Sequence, residues 1–226
     1  MKLSKETLDV LNCVRNINAG SPVQGIVFKK GSVVMARKYK STMPIIVAEV
    51  AETFEEDFAV YDLKKFLSMY SLLDDPDLSL KDGYAHFKSG KRRSKIKCAA
   101  PQLIEKPEFF DSVVTMPTPD LSLEISSADW KSINTAAASF VAPELALISE
   151  NGKVILTTYN SADPKSDQFS IEVGETDGDF TLIMSRDYLH LPNVDLKVNI
   201  SYRGLVEFST SNMKYYVTVS EKSKVG

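Results

Sequence analysis

The chain says most things twice. Leu3-Ser4 opens one amphipathic segment, and Ile125-Ser126 opens another 122 residues later. After each comes a strand pattern, a glycine turn and a second strand pattern. These are residues 25–30, Gly31 and 32–38 in the first half, and 144–150, Gly152 and 153–159 in the second, with the glycines 121 apart. Asp57-Phe58-Ala59-Val60-Tyr61 precedes Lys64-Lys65-Phe66-Leu67. Its counterpart Asp179-Phe180-Thr181-Leu182-Ile183 precedes Arg186-Asp187-Tyr188-Leu189, again 122 residues on. Asp77-Leu78-Ser79-Leu80 and Asp195-Leu196-Lys197-Val198 close the series, 118 apart. Four landmarks in one order at nearly one offset predict two similar domains. The 226 residues suffice for two cores of ordinary size. We place the domains at 1–100 and 120–226. The segment 101–119 between them contains Pro101, Pro107, Pro117 and Pro119 and has no helical or strand period. It reads as an extended connector along the surface.

Each half reads helix, three strands, strand, short helix, three strands. In the first helix Leu3, Val10, Val14 and Ile17 share a stripe with Leu11 beside it, while Lys5, Asp9, Asn12 and Asn16 lie opposite. Ser4 is the expected N-cap and Gly20 the stop. In the corresponding helix Ile133, Ala136, Ala137 and Phe140 cluster, and Ser126 with Asp129 fits a capping box. The short helix of the first half starts after Asp62 and buries Leu63, Phe66, Leu67 and Tyr70; its counterpart starts after Ser185 and is cut short at Pro192. Phe169, Ile171 and Val173 alternate with Gln168, Ser170 and Glu172, as in a sheet with one face on a core. Helices on one side of such sheets make an α+β layer architecture.

Chemistry is sparse. His86 and His190 are the only imidazoles, no Cys or His spacing suits zinc, and no nucleophile elbow or P-loop occurs. Asp74-Asp75-Pro76-Asp77 reads as a solvated loop before it reads as a cation site. No catalytic residue, metal or cofactor is therefore expected, and the chain does not read as an enzyme. Cys13 and Cys98 are expected as reduced thiols. No apolar run is long enough to span a bilayer, and the opening residues lack the apolar stretch of a signal peptide.

The net charge of −3 is not that of a protein that coats nucleic acid, so any contact with DNA must use a local basic surface. Lys88, Lys91, Arg92, Arg93, Lys95 and Lys97 put six cations into ten residues. Glu49, Glu52, Glu55, Glu56 and Asp57 form an acidic counterpart. The basic hairpin reads equally as a phosphate-binding element or as a solvated edge whose charges discourage aggregation. Further cations, Lys5, Lys64, Lys65 and Lys131, fall on polar helix faces.

The opening Met1-Lys2-Leu3-Ser4-Lys5, and above all the run from Asp57-Phe58-Ala59-Val60-Tyr61-Asp62-Leu63 through Lys64-Lys65-Phe66-Leu67 to Ser71-Leu72, resemble the DNA polymerase sliding clamps of T-even-type bacteriophages. The second half supports the resemblance through length and element order. The resemblance implies two clamp domains per chain, helices lining a pore, antiparallel sheets outside, and a homotrimeric ring around duplex DNA. It implies a processivity factor that tethers the replicative DNA polymerase, is opened by a clamp loader, and works in the host-cell cytoplasm without sequence preference or membrane contact. The last strand of the first domain, residues 94–99, is then expected to pair with 167–174 of a neighbouring copy. Lys5, Lys64, Lys65, Lys91, Arg92, Arg93, Lys131 and Arg186 become the expected DNA contacts. Phe109, Phe110 and Val113 in the connector become the expected partner-binding residues, beside a pocket for a partner's apolar tail. The rival reading is a non-enzymatic nucleic-acid-binding structural protein acting through the 88–97 hairpin.

Overall fold

A computed structural model describes residues 1–21, 25–41, 43–104 and 116–226. The chain divides into two compact units, Met1–Val114 and Thr115–Gly226. No described helix is long and apolar enough to cross a membrane.

In unit 1, α1 spans Lys5–Ile17 and buries Val10, Leu11, Cys13, Val14 and Ile17. Ser4 caps it by accepting from the Thr7 amide, satisfying one of the orphan donors of the first turn. Four strands follow, β1 (Ile26–Phe28), β2 (Gly31–Arg37), β3 (Ile45–Phe54) and β4 (Phe58–Val60), in the spatial order β4-β1-β2-β3, all antiparallel. Then come α2 (Leu63–Leu72), capped by the Asp62 carboxylate on the Lys65 amide, and the meander β5 (Asp77–Lys81), β6 (Tyr84–Ser89) and β7 (Arg92–Lys97). The core is aromatic. Phe28 stacks on Phe58 at 4.3 Å, Phe54 meets both edge-on, and Phe66 of α2 meets Phe87 of β6 at 5.1 Å.

Unit 2 begins with β8 (Leu121–Ile125), then α3 (Ser127–Ser139), β9 (Glu144–Glu150), β10 (Lys153–Tyr159), β11 (Ser170–Glu175) and β12 (Phe180–Ser185). After a single 3-10 turn at Arg186–Tyr188 come β13 (Leu196–Ser201), β14 (Leu205–Ser209), β15 (Met213–Thr218) and β16 (Lys224–Val225). One sheet runs β11-β10-β9-β12-β16 and the other β8-β13-β14-β15. Asn151 and Gly152, both at positive φ, turn β9 into β10 in the hairpin geometry that favours this dipeptide.

The two units share one plan, down to the strand preceding the first helix. In unit 2 Leu196 of β13 pairs with Ile125 of β8. In unit 1 the same place is held by Met1 and Leu78 of β5, whose backbones exchange two hydrogen bonds of 2.7 and 2.8 Å.

Several expectations need correction. Phe140 is the C-cap of α3, not part of its stripe, and is 41 % exposed; Trp130, passed over in the sequence, fills the core instead. Ser126 caps α3 as expected by accepting from the Asp129 amide at 3.1 Å, but the Asp129 carboxylate accepts from the Ser126 hydroxyl, and Asp195 receives the Ser127 amide. The counterpart of α2 is only the 3-10 turn. Glu52 is not part of an exposed acidic group but buried on the core side of β3, where it accepts from the Ser4 amide and the Thr7 hydroxyl at the start of α1. The connector does not simply run over the surface. Residues 101–103 make a 3-10 turn, and Ile104 is buried against Val27, Met35 and Ala59. A Cβ at Gly25 would come within 2.7 Å of Ile104 Cδ1, so glycine makes room for that anchor. Residues 105–115, including Phe109, Phe110 and Val113, lie outside the described residues.

Candidate nucleic-acid interface

In unit 1 the helices form one layer. α1 packs on β2 and β3, α2 packs on β6 through Phe66 and Tyr70, and the two helices touch each other. A groove of about 780 Å³ lies between them, lined by Leu8, Asn12 and Arg15 on one side and Leu67, Ser71 and Asp75 on the other. The Leu3 amide donates to the Tyr70 hydroxyl at 3.0 Å, so the start of α1 meets the end of α2. Lys5 therefore stands at the opposite end of the helix pair from Lys64 and Lys65, and all three are exposed. Asp9, one turn on from Lys5, tempers its charge. Arg15, not among the cations that the sequence pattern singles out, lines the groove and donates to Asn16 Oδ1 at 3.3 Å. The signal that could have found it is its position three residues after Asn12, on the border between the polar and apolar stripes.

Asp75 is engaged structurally. It pairs with Lys2 and accepts from the Tyr70 hydroxyl at 3.2 Å, and the Lys2 ammonium holds its carboxyl below the usual range. Among the described residues no cluster of His, Cys, Asp and Glu could hold a metal ion. Cys13 and Cys98 are free thiols, Cys13 buried and Cys98 half-buried; burial pushes Cys13 up to about 12.

In unit 2 Lys131 is exposed on α3, and the face around it is short and polar. The Ser132, Thr135 and Ser139 hydroxyls each donate to the carbonyl four residues earlier, at 2.8 to 3.0 Å. Arg186 does not stand free beside Lys131. Its Nη1 donates to the Ala137 and Ala142 carbonyls, both at 2.9 Å, and so closes the C-terminal end of α3. A cation there also meets the negative end of the helix dipole.

The basic hairpin is divided by strand alternation. On β7, Arg92, Ser94 and the buried Ile96 share the side on which Phe87 meets α2, whereas Arg93, Lys95 and Lys97 join Lys88 on the side away from the helices. Lys91 sits in the turn. Arg93 is thus not brought onto the same surface as Lys5, Lys64 and Lys65. Both β7 and β11 are edge strands, and Ile171 and Val173 of β11 are only half-buried.

No protein-family profile matches the sequence. The chain is similar to the sliding clamp of Vibrio phage KVP40, with 25% identity over 96% of this chain and 98% of that one. It is equally similar to the sliding clamp of Enterobacteria phage T4, with 24% identity over 99% and 98%. Its fold is that of an A. fulgidus PCNA solved with the C-terminal region of FEN-1, at TM-score 0.71 and 14% identity over 99% of this chain and 98% of that chain. The DNA polymerase III beta subunit of Thermotoga maritima shares it at TM-score 0.66 and 15% identity, covering 95% of this chain and 63% of that longer one. A helix layer on antiparallel sheets, stated twice along one chain, is the fold shared with these solved clamps. The chain's likeness over the whole length is to the clamps of T-even-type bacteriophages, as the run through Tyr61-Asp62-Leu63 leads one to expect.

Proposed function

We propose that the chain closes head to tail into a ring of three copies around duplex DNA and holds the replicative polymerase on its template, acting by topology and not by catalysis. The observation that carries this reading is the helix-on-sheet plan occurring twice in a chain that resembles phage sliding clamps from end to end. With two units per chain, three copies supply six pseudo-equivalent units, and a head-to-tail contact that closes gives a ring. The edge strands support the pairing of β7 with β11 of a neighbour. β7 offers the apolar Ile96 and β11 the half-buried Ile171 and Val173, while Glu172 and Glu175 of β11 pair with Lys153 at 3.1 and 2.7 Å. Continuing the sheet would cover two edges that otherwise invite aggregation.

A sliding ring needs weak contacts that read no bases. Lys5, Lys64, Lys65 and Lys131 are few and exposed, and the hydroxyls around Lys131 are already committed to their own helix. Both features suit phosphate attraction without grip. Lys91, Arg92 and Arg93 add a second cationic region, and Arg186 contributes by fixing the end of α3. A closed ring requires a loader to open it in the host-cell cytoplasm. The A. fulgidus clamp binds the C-terminal region of FEN-1. A comparable partner tail here is proposed to dock beside Phe109, Phe110 and Val113.

Light scattering should give the mass of three 25.1 kDa chains. Clamp loaded on nicked circular duplex should be retained, and released once the circle is linearised. A monomer, or retention that survives linearisation, would overturn the ring.

A further inference from the structure

The β5-β6-β7 sheet of unit 1 and the β13-β14-β15 sheet of unit 2 hold equivalent places in the repeat, yet their faces turned away from the helices are unlike. In unit 2 the cross-strand rows are Lys197-Ser209-Lys214, Asn199-Glu207-Tyr216 and Ser201-Leu205-Thr218. Polar groups there are spent on one another. Ser122 Oγ donates to Asn199 Oδ1 and Asn199 Nδ2 to Glu207 Oε1, both at 2.8 Å, and Lys214 Nζ lies 3.6 Å from Glu207 Oε2. In unit 1 the rows are Asp77-Lys88-Arg93, Ser79-His86-Lys95 and Lys81-Tyr84-Lys97. Five cations face one carboxylate, and among the described residues none of the five forms an ion pair.

The two faces also differ in burial: in unit 2 Ser201, Glu207 and Tyr216 are buried, whereas in unit 1 every residue of the three rows is exposed or half-buried. Edge protection accounts for cations on β7. It does not account for Lys88 on the central strand β6, which stands between Asp77 and Arg93 yet, among the described residues, forms no ion pair with Asp77. The face is also not purely electrostatic. Tyr84 and His86 lie half-buried in its middle with ring centroids 6.1 Å apart, beside a shallow depression of about 400 Å³. Lys95 Nζ stands 4.8 Å from the centre of the Tyr84 ring.

We propose that this sheet face binds single-stranded nucleic acid. Arg93, Lys95 and Lys97 alternate along one strand at about 6.8 Å per step, a rise that suits successive phosphates of an extended strand. Tyr84 and His86 offer ring faces to unstacked bases. When a base takes the Tyr84 ring, Lys95 is freed for the backbone, so the internal cation–π contact is exchanged for two external ones. A duplex keeps its bases stacked inside and cannot use the rings, and an acidic peptide has no need of them. The face is distinct from the helix cations proposed for duplex DNA. The inference rests on the clamp reading only for the supply of ligand, since a clamp works where template is single-stranded.

The test is fluorescence anisotropy of a short labelled oligothymidylate with the full chain across a salt series. We expect binding whose log affinity falls by about 0.7 per phosphate neutralised as log salt rises. Lys81→Gln with Lys88→Gln, on β5 and β6 and away from the β7 edge, should weaken it by about fivefold or more at low salt and flatten the slope. Tyr84→Ala should weaken it by about fivefold or more with the slope unchanged. Lys64→Gln with Lys65→Gln should leave it unaltered. Absent binding, an unaffected lysine variant, an indifferent Tyr84→Ala, or displacement by polyglutamate as effective as by unlabelled oligothymidylate would each overturn the proposal. Retention of the same variants on nicked circular duplex is read separately. Loss of oligonucleotide binding with retention intact locates the site on this face, and failure of the parent chain to be retained counts against the ring alone.

Discussion

Unit 1 and unit 2 carry one strand plan on opposite charges. Residues 1–114 hold 18 Lys and Arg against 15 Asp and Glu, and residues 115–226 hold 9 against 15, so the first is +3 and the second −6. The cores differ as well. Unit 1 is built on stacked phenylalanines, while the sheets of unit 2 close mainly on Leu, Ile and Val with Trp130 against Phe208. The start of the first helix is held by a buried carboxylate in unit 1 and an exposed aspartate in unit 2. A backbone plan therefore tolerates different cores and charges as long as each strand keeps its apolar side inward. What diverges is what each unit offers to others, and opposite charge on two units of one chain suits head-to-tail association.

The largest expected effect strikes the aromatic core. Phe28→Ala should cost about 3–5 kcal/mol, measured by denaturant unfolding; a loss below about 1 kcal/mol would mean that the stack does not organise unit 1. Next comes the contrast in helix starts. Glu52→Ala leaves the Ser4 amide and Thr7 hydroxyl without their acceptor and should cost about 2–3 kcal/mol, whereas Asp195→Ala should cost about 1 kcal/mol or less. The reverse order would break the comparison. Arg186→Met should cost about 1–2 kcal/mol by removing the guanidinium donor from the Ala142 carbonyl just past α3 and leaving the Ala137 carbonyl with the Ala142 amide alone, while Lys64→Met should stay within about 0.5 kcal/mol. Removing Lys64, Lys65 and Lys131 should lower the salt slope of duplex binding by about 0.9 each, and removing Arg186 should not.

The smallest effect concerns the thiols, both in unit 1. Burial raises both, Cys13 to about 12, so the thiolate is disfavoured at neutral pH and rises only as pH approaches that value. In the native protein a thiol reagent at mildly alkaline pH should modify Cys98 first and Cys13 only on unfolding. Equal rates would show that α1 opens far more readily than its packing suggests.

The sequence by itself determined the repeat, the helix over Lys5–Ile17 with its Ser4 cap, the burial of Leu63, Phe66, Leu67 and Tyr70, and the strands flanking Gly31 and Gly152. These depend on neighbours a few residues apart, where period and capping chemistry are written directly. Resemblance supplied the clamp reading, because no motif encodes a function exercised by topology. Only the tertiary structure decided that Glu52 is buried, that Ile104 is an anchor, that Arg186 closes a helix instead of standing free, and that one ten-residue basic run splits between two sides of a sheet. Each depends on a partner tens of residues away or on pairing register, and a charge shows its sign in sequence but not which face of the fold it occupies. The unpaired cations around Tyr84 and His86 are the clearest case. Asp77, Lys81, Lys88 and Arg93 become one surface only when three strands lie side by side.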